Sequence, residues 1–296
     1  MTLTSEPEPS ASVAVRTVDE AAPADVSPVR APILGKLIYH LLPIRRAVIL
    51  SNIARALGRT LSRPQIVNLA QAHYAHQARS LWEFVTFLLL SDKRRAVLAR
   101  VENIEAILQA RERGKGVLVL TGHFGNWEVA TVAGLEHFPH RRGQFHVLRR
   151  PLWPLWFDRL VTGRFRRGGF QVLARKGSLN QLLDRLKAGD AVVFLMDQHA
   201  AGRDGVRVDF FGHPAGTFKS LAIIALSTGT PVVPLATWRE PNGRHVVRFE
   251  EALPLIECDD PDEAIRANTR SYNATLERLV LRHPEQWFWM HRRWKD

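Results

Sequence analysis

The stretch Gly116-Val-Leu-Val-Leu-Thr-Gly-His-Phe-Gly-Asn-Trp-Glu128 decides the fold. The apolar run at its start predicts a buried β-strand, and the apolar residues that follow Glu128 predict a packed helix. Gly122 and Gly125 allow a tight turn between the two. His123 therefore lies on a turn at the end of a strand, a position that suits a general base better than a core residue.

His123 and Glu128 are the first candidate catalytic pair. On one regular helix they would lie about 140° apart, but a histidine in the turn before the helix can meet a glutamate inside it. We expect His123 to accept a proton, and Glu128 to fix its tautomer and stabilise the imidazolium. Asn126 suits the helix N-cap, and the positive helix end favours a neutral imidazole. A buried histidine beside a surface glutamate is the alternative.

Strands and helices alternate from residue 102 to residue 282, which predicts an α/β fold. The expected architecture is a mixed, largely parallel central sheet flanked by helices, with an N-terminal helical extension. Residues 1–30, rich in Pro, Ala, Ser and acids, predict a disordered tail. Residues 31–100 predict a helical region, and residues 101–296 a catalytic domain. The apolar stripes of residues 31–60, broken at Pro43, fit either a membrane-interfacial helix or one packed on its own domain.

Polar residues after later strands are further site candidates. Arg150 follows a predicted strand and suits a phosphate or an oxyanion; backbone N–H groups near Gly125 are the other candidate oxyanion donors. Arg164 belongs to an arginine cluster that is also typical of a solvated face. Asp197 and Gln198 follow the strand 191–196 and predict a loop that positions substrate or braces His123. Metal ligation by Asp197 and its acidic and histidine neighbours is disfavoured, because the spacing matches no established pattern.

The charge balance limits the kind of partner. Net charge is +12, and the first 30 residues hold five acids and two bases, so residues 31–296 carry about +15. That excess attracts nucleic acid, acidic lipid headgroups or an acidic protein. No apolar run is long enough to span a bilayer, and the N-terminus lacks a secretory pattern, so any membrane contact is expected to be peripheral.

Other sequence features narrow the class of protein. The single cysteine, Cys258, excludes an internal disulfide. Phosphate-loop, dinucleotide and Gly-x-Ser-x-Gly motifs are absent, which disfavours those enzyme classes. The tryptophan-rich segment 284–295 fits a membrane-interface anchor, a surface for stacking single-stranded nucleic acid, or a docked terminal strand.

Five blocks resemble, in order, the bacterial lipid A late acyltransferases, the lauroyl and myristoyl transferases of the lysophospholipid acyltransferase-like superfamily. The blocks are Gly122–Glu128, Arg150-Pro-Leu with Gly163-Arg164, Asp197-Gln198 with Val208-Asp-Phe-Phe-Gly212, Pro231-Val-Val-Pro234, and Pro284–Arg293. Members usually carry an N-terminal transmembrane helix, where this chain has the broken amphipathic stretch.

The resemblance implies transfer of a fatty acyl chain from acyl carrier protein or acyl coenzyme A to a glycolipid hydroxyl, such as that of a lipid A precursor. It implies His123 as base, Glu128 as its partner, Arg150 and Arg164 at phosphate or in the cleft, and Asp197 in the active site. No metal or cofactor is expected. The expected location is the cytoplasmic face of the bacterial inner membrane, with peripheral or monotopic attachment.

The expected partners are an acidic acyl carrier protein, which the basic body would attract, and an anionic membrane that carries the glycolipid. Phosphatidylinositol mannoside, ornithine lipid and lysophospholipid remain alternative acceptors. The lysophospholipid is disfavoured because the chain lacks a Glu-Gly-Thr-Arg motif. A nucleic-acid-binding protein is the alternative from another class; it leaves the turn 122–128 unexplained, and no nucleic acid is expected.

Overall fold

The computed structural model describes residues 29–87, 90–91, 94–95, 97–138, 140, 143–149, 153–174 and 177–295. The tail predicted for residues 1–30 lies outside these residues except for its last two. Arg150 also lies outside them.

A seven-stranded sheet forms the centre of the structure. Its strands are β1 (Ala99–Glu102), β2 (Val117–Thr121), β3 (Phe145–Arg149), β4 (Phe170–Ala174), β5 (Ala191–Leu195), β8 (Val232–Arg239) and β9 (His245–Phe249). Their order is β1-β9-β8-β2-β5-β3-β4. All neighbouring pairs are parallel except β8 and β9, so the two strands at one edge run against the rest. The predicted mixed, largely parallel sheet is confirmed.

Helices cover both faces of this sheet. They are α4 (Ile104–Glu112), α5 (Trp127–Gly134), α6 (Leu155–Arg167), α7 (Leu179–Lys187), α8 (Ser220–Thr228) and α9 (Pro261–Arg282). Successive residues of β2 point to opposite faces: Leu118 and Leu120 enter one core cluster, and Val117 and Val119 enter the other. A strand with two covered faces must be apolar throughout, which explains the continuous apolar run that precedes His123.

Three helices precede the sheet: α1 (Ile33–Leu41), α2 (Arg46–Leu57) and α3 (Arg63–Thr86). The predicted break at Pro43 is confirmed. Gly35 lets α1 approach α3 closely, because a Cβ there would lie 2.1 Å from the carbonyl oxygen of Gln71. Of the two readings of this region, packing on the chain's own domain holds for one face of α1, while its other face exposes Ile33 and Leu41. In the described part of the chain, no helix combines the length and apolarity needed to cross a bilayer.

Three strands are not predicted by the sequence pattern: β1, and the two strands of a separate antiparallel hairpin, β6 (Gly205–Phe210) and β7 (His213–Phe218). The hairpin turns at Phe211 and Gly212, which both have positive φ, the geometry of the tight turns that join twisted strands. A proline and a glycine interrupt the apolar alternation of β7 and hide its strand character. Residues 217–228 have the sequence pattern of a helix, but β7 continues to Phe218, so α8 begins only at Ser220.

The C-terminal segment docks on the body of the protein. Trp287, Trp289 and Arg293 are buried, and Trp287 forms an antiparallel bridge with Phe124. Of the three readings of this segment, docking therefore holds. Neither Trp287 nor Trp289 is available as a membrane anchor or as a stacking surface for bases.

Candidate active site

The site lies where β2 and β5 end. These strands are parallel neighbours, and their register places Thr121 opposite Leu195. The loops that follow them leave the sheet at the same edge, where open α/β sheets place their ligand sites. His123 and Asp197, although distant in sequence, come two residues after these paired positions and therefore meet.

His123 and Asp197 are joined by two hydrogen bonds. The backbone N–H of His123 donates to Oδ2 of Asp197 over 2.8 Å, and Nδ1 of the imidazole lies 2.8 Å from Oδ1. Gly122 makes this approach feasible, because a Cβ at that position would lie 2.9 Å from the carboxyl group of Asp197. The glycine before the histidine is thus required by the carboxylate that faces it.

Asp197 is held as a charged carboxylate. It is 3% exposed, and Nε1 of Trp287 donates a further hydrogen bond of 2.8 Å to its Oδ2. Burial alone would raise the pKa of Asp197. The charge of His123 and the hydrogen bonds from His123 and Trp287 outweigh burial and lower the pKa to about 2. Oδ1 therefore accepts a hydrogen bond from the Nδ1–H of the neutral imidazole, and the lone pair that can act as a base lies on Nε2.

The pKa of His123 is raised above 6.5. Burial alone would lower it, but the charge of Asp197, their hydrogen bond and the charge of Glu128 together outweigh burial. The sequence predicts that the positive helix end lowers the pKa of His123 and so favours the neutral imidazole. The net change in this pKa has the opposite direction. A carboxylate in contact acts more strongly than the partial charge of a helix terminus.

Glu128 lies in the first turn of α5 and lines the same cavity as His123. The predicted proximity is thus present, and the charge of Glu128 raises the pKa of His123. The carboxylate on Nδ1, however, belongs to Asp197. The prediction that Glu128 fixes the tautomer of His123 is therefore corrected, because Asp197 makes that contact. The prediction that Glu128 helps to stabilise the imidazolium stays a prediction.

The turn after His123 is fixed by close backbone packing. Gly125 has a φ of 55°, and a Cβ there would lie 2.9 Å from the carbonyl oxygen of Thr237. Its N–H donates to the carbonyl of Gln286 over 2.9 Å. The amide of Gly125 itself is therefore already engaged, and the expectation that other backbone N–H groups near Gly125 serve as oxyanion donors stays a prediction.

Asn126 occupies the N-cap position of α5, but its side chain makes no capping hydrogen bond. Its Nδ2 donates instead to the carbonyl of Ser80 and to Glu83, over 3.0 and 3.1 Å. Glu83 also accepts a 2.7 Å hydrogen bond from Arg239. The predicted N-cap position is therefore confirmed, but the capping hydrogen bond is absent: Asn126 ties the turn to α3, because this buried amide finds its partners there.

Gln198 lies on the cavity side of the base. Its Nε2 is 3.3 Å from Nε2 of His123, the geometry of an amide that donates weakly to the imidazole lone pair. A substrate hydroxyl that reaches this lone pair would displace the amide, and its N–H groups could then turn toward a developing oxyanion. The prediction that Gln198 contacts substrate is consistent with this position.

A cavity of about 620 Å³ opens beside His123, Glu128 and Gln198. Its interior is apolar, lined by Val161, Phe165, Leu182, Phe194, Met196 and Ile224. Arg149, Arg203 and Lys219 line it as well, together with the acidic Asp204. Such a cavity suits an amphipathic ligand with a long apolar part and an anionic group.

The two predicted arginines are only partly placed. Arg150 lies outside the described residues, but its neighbour Arg149 lines the cavity and pairs with Asp158 over 2.8 Å. Arg164 belongs to helix α6, and its side chain is not described. The roles given to both arginines stay predictions.

Comparison with known proteins places the chain in a family. A sequence model described as bacterial lipid A biosynthesis acyltransferase matches residues 11–296. The chain belongs to this acyltransferase family. The resemblance seen in its sequence blocks is thereby confirmed.

Relatives of this family member carry two kinds of name. A phosphatidylinositol mannoside acyltransferase of Mycobacterium tuberculosis is 28% identical over 203 residues, which cover 67% of this chain and 60% of that protein. The lipid A biosynthesis lauroyltransferase of Escherichia coli is 25% identical over 263 residues, which cover 88% of this chain and 83% of that protein. The chain thus spans less than two thirds of the M. tuberculosis relative.

A solved structure of another acyltransferase is weakly similar to this acyltransferase-family chain. A 1-acyl-sn-glycerophosphate (LPA) acyltransferase from Thermotoga maritima matches with a TM-score of 0.37 and 14% identity. The match covers 83% of this chain and 95% of that chain.

Some site residues of this acyltransferase-family chain are not predicted from its sequence. Trp287 belongs to a sequence block that resembles the family, but nothing in the sequence indicates that its indole meets Asp197. His291 is another: its Nε2 accepts the N–H of His199 over 2.9 Å and so holds the loop after Asp197. Both contacts join residues about 90 positions apart, and no local spacing signals them.

The acids and histidines near Asp197 do not gather around a common point. In the part of the chain that the structure describes, no group of three or more His, Cys, Asp or Glu residues is arranged to hold a metal ion. That the family member needs no metal or cofactor stays a prediction.

Proposed function

We propose that this protein is an O-acyltransferase that moves a fatty acyl chain from a thioester donor to a hydroxyl of a membrane glycolipid. The donor is an acyl carrier protein or acyl coenzyme A, and the acceptor is a lipid A precursor or a related glycolipid. The observation that carries the proposal is the base itself: His123, tied through Nδ1 to the buried Asp197, lies at a cavity with an apolar interior.

The reaction proposed here needs one base and no covalent enzyme intermediate. Nε2 of His123 accepts the proton of the acceptor hydroxyl as its oxygen attacks the thioester carbonyl. The carbon–sulfur bond then breaks, and the leaving thiolate takes the proton back from the imidazolium. Within the described residues, no serine, threonine or cysteine side chain is hydrogen-bonded to His123, which supports direct attack by the acceptor.

Three neighbours of His123 stabilise the charges that develop during the reaction. Asp197 orients the imidazole and stabilises the imidazolium, and Glu128 adds a second negative charge on the cavity side. Gln198 is our candidate donor to the oxyanion of the tetrahedral intermediate. An amide donor suits this role because its N–H groups stabilise negative charge and are not acidic enough to give up their protons.

The lining of the cavity supports a lipid substrate. An acyl chain is stabilised by about 0.8 kcal/mol for each buried methylene, so an apolar interior is the natural place for it. The cationic Arg203 and Lys219 suit a phosphate carried by either substrate. The names of the relatives support a glycolipid acceptor of either kind and do not separate lipid A from phosphatidylinositol mannoside.

An acyl-transfer assay tests this proposal. The purified full chain is incubated with acyl carrier protein or coenzyme A loaded with labelled acyl chains. The acceptors are a lipid A precursor, phosphatidylinositol mannoside, ornithine lipid and a lysophospholipid. We expect an acylated glycolipid detectable by mass spectrometry. Transfer to no acceptor, or only to ornithine lipid or the lysophospholipid, would contradict the proposal, because neither of these lipids is a glycolipid.

The pH dependence of the reaction should report the raised pKa of His123. Imidazolium cannot accept a proton, so kcat/KM should be low in acid and rise with pH through a midpoint above 6.5. The midpoint belongs to the free enzyme and should be the same with either donor. A midpoint at or below 6.5 would contradict the coupling between His123 and its two carboxylates.

We place the protein at the cytoplasmic face of the bacterial inner membrane, attached peripherally. Large apolar side chains are exposed where the end of α3 meets the start of α6, among them Trp82, Trp153 and Trp156. Phe84 and Phe157 join these two helix ends, with ring centroids 6.4 Å apart. The exposed side of α1 is similarly apolar. Exposed tryptophans on a basic protein suit the interface of an anionic membrane.

Binding to vesicles checks this surface. The double variant Trp82→Ser, Trp156→Ser should bind vesicles that contain anionic phospholipid about tenfold more weakly, because two interfacial side chains are lost. Val97→Ser is the control, since Val97 is equally exposed but belongs to neither α3 nor α6. Co-sedimentation at several lipid concentrations gives the partition constants. Equal binding by the double variant would remove this surface from the proposal.

A further inference from the structure

Within the docked C-terminal segment, residues Gln286–Phe288 run alongside the turn that carries His123. The N–H of Gly125 donates to the carbonyl of Gln286, and the N–H of Phe288 donates to the carbonyl of His123 over 3.1 Å. These two bonds bracket the bridge between Phe124 and Trp287. The backbone around the base is therefore held in part by residues more than 160 positions later in the chain.

Of the three side chains of Gln286–Phe288, the indole of Trp287 is the one that donates to the carboxylate of Asp197. It is 2% exposed, and its ring is fixed by Trp289 and Phe210, with centroid distances of 4.6 and 5.7 Å. Rigid neighbours on two sides leave its Nε1 aimed at Oδ2 of Asp197, at 2.8 Å. The N–H of His123 donates to the same oxygen, so Oδ2 has two donors and Oδ1 is left for the imidazole.

We propose that Trp287 is a positioning residue for the general base. Its indole N–H orients Asp197 and lowers the proton affinity of that carboxylate, and through Asp197 it influences the protonation state of His123. The expected effect on the reaction rate rests on the proposed function. The expected effect on the protonation of His123 does not. A donor to a carboxylate withdraws negative charge from it and weakens its pull on a second proton. Without the indole N–H, Asp197 would stabilise the imidazolium more strongly, and less of the neutral base would be present near neutral pH.

Other charged or titratable groups also act on this pair. Glu128 acts from α5, and His291 and Arg293 act from the C-terminal segment. None of them makes the contact between Trp287 and Asp197, so a change confined to the indole leaves them in place.

Trp289 is a matched control for Trp287. It is also buried, it packs against Trp287, and its Nε1 donates to the carbonyl of Pro284 over 2.6 Å. Replacing either indole with a phenyl ring removes similar volume and one hydrogen bond. Only the replacement at 287 removes a donor from Asp197.

The test compares Trp287→Phe with Trp289→Phe in the full chain, by NMR titration of the His123 ring and by the pH profile of kcat/KM. Trp287→Phe should raise the pKa of His123 by about 0.5–1 pH unit. The acidic limb of the profile should move to higher pH by the same amount. At pH 6 to 7, kcat/KM should fall several-fold. Trp289→Phe keeps an aromatic ring packed against Trp287 and keeps the donor to Asp197, so it should shift the pKa and the limb by much less than Trp287→Phe does.

A second variant guards against a folding defect. Benzothienylalanine at position 287 keeps the shape of the indole and replaces its N–H by sulfur, and it should reproduce the shift. An unchanged pKa of His123 in this variant, or an equal shift in Trp289→Phe, overturns the inference. The titration needs no substrate, so a wild-type protein that transfers no acyl chain would refute the proposed function and leave the test of Trp287 intact.

Discussion

His123→Ala should lower kcat for acyl transfer by about 10²–10⁴-fold, the usual contribution of a positioned general base. Without an acceptor for the hydroxyl proton, attack must proceed from a neutral hydroxyl, which is a poor nucleophile toward a thioester. Binding of donor and acceptor depends on the rest of the cavity, so their KM values should change little. Single-turnover transfer to the best acceptor gives the rate constant of the chemical step, which product release does not affect.

The controls for His123→Ala separate chemistry from folding. The variant should keep the wild-type circular dichroism and melting temperature to within a few degrees, since His123 is partly exposed at a loop. His213→Ala, on the hairpin strand β7 and away from the cavity lining, should keep full activity. An acyl-transfer rate in His123→Ala that equals the wild-type rate would refute the role of His123 as the base.

Asp197→Asn should lower kcat by a similar factor, on the order of 10²–10⁴, for a different reason. Two donors, the N–H of His123 and the indole of Trp287, converge on Oδ2. In the variant only the amide oxygen can satisfy them, so the NH₂ group must face Nδ1 of the imidazole. The imidazole then accepts at Nδ1 and carries its proton on Nε2. This is the wrong tautomer for a base that must receive a proton on Nε2.

The tautomer can be measured directly. Nitrogen chemical shifts of the His123 ring should show Nδ1–H in the neutral wild-type protein and Nε2–H in Asp197→Asn, together with a lowered pKa of His123. Glu128→Gln is the informative comparison. It should lower the pKa of His123 as well, because one negative charge is lost, but the tautomer should stay as in the wild type. A switched tautomer in Glu128→Gln, and not in Asp197→Asn, would return the orienting role to Glu128.

Much of the fold follows from local sequence. The strand predicted before His123 matches β2, and the predicted alternation of strands and helices ends at residue 282, where α9 ends; both boundaries follow from apolar patterns with clear end signals. The hairpin β6–β7 is missed, since its stability comes from pairing between two segments and from a turn with positive φ. Local patterns report what a segment can do alone, and pairing across the chain lies beyond them.

The candidate site divides in the same way. The sequence by itself determined that His123 stands on a glycine-flanked turn after a buried strand, and that Glu128 and Asp197 are its candidate neighbours. Only the tertiary structure decided which carboxylate meets which nitrogen. The parallel register of β2 and β5 brings Asp197 to Nδ1, and the docked C-terminal segment brings Trp287 to Asp197. A hydrogen bond depends on distances of a few tenths of an ångström between residues far apart in the chain, and spacing along the sequence carries no such information.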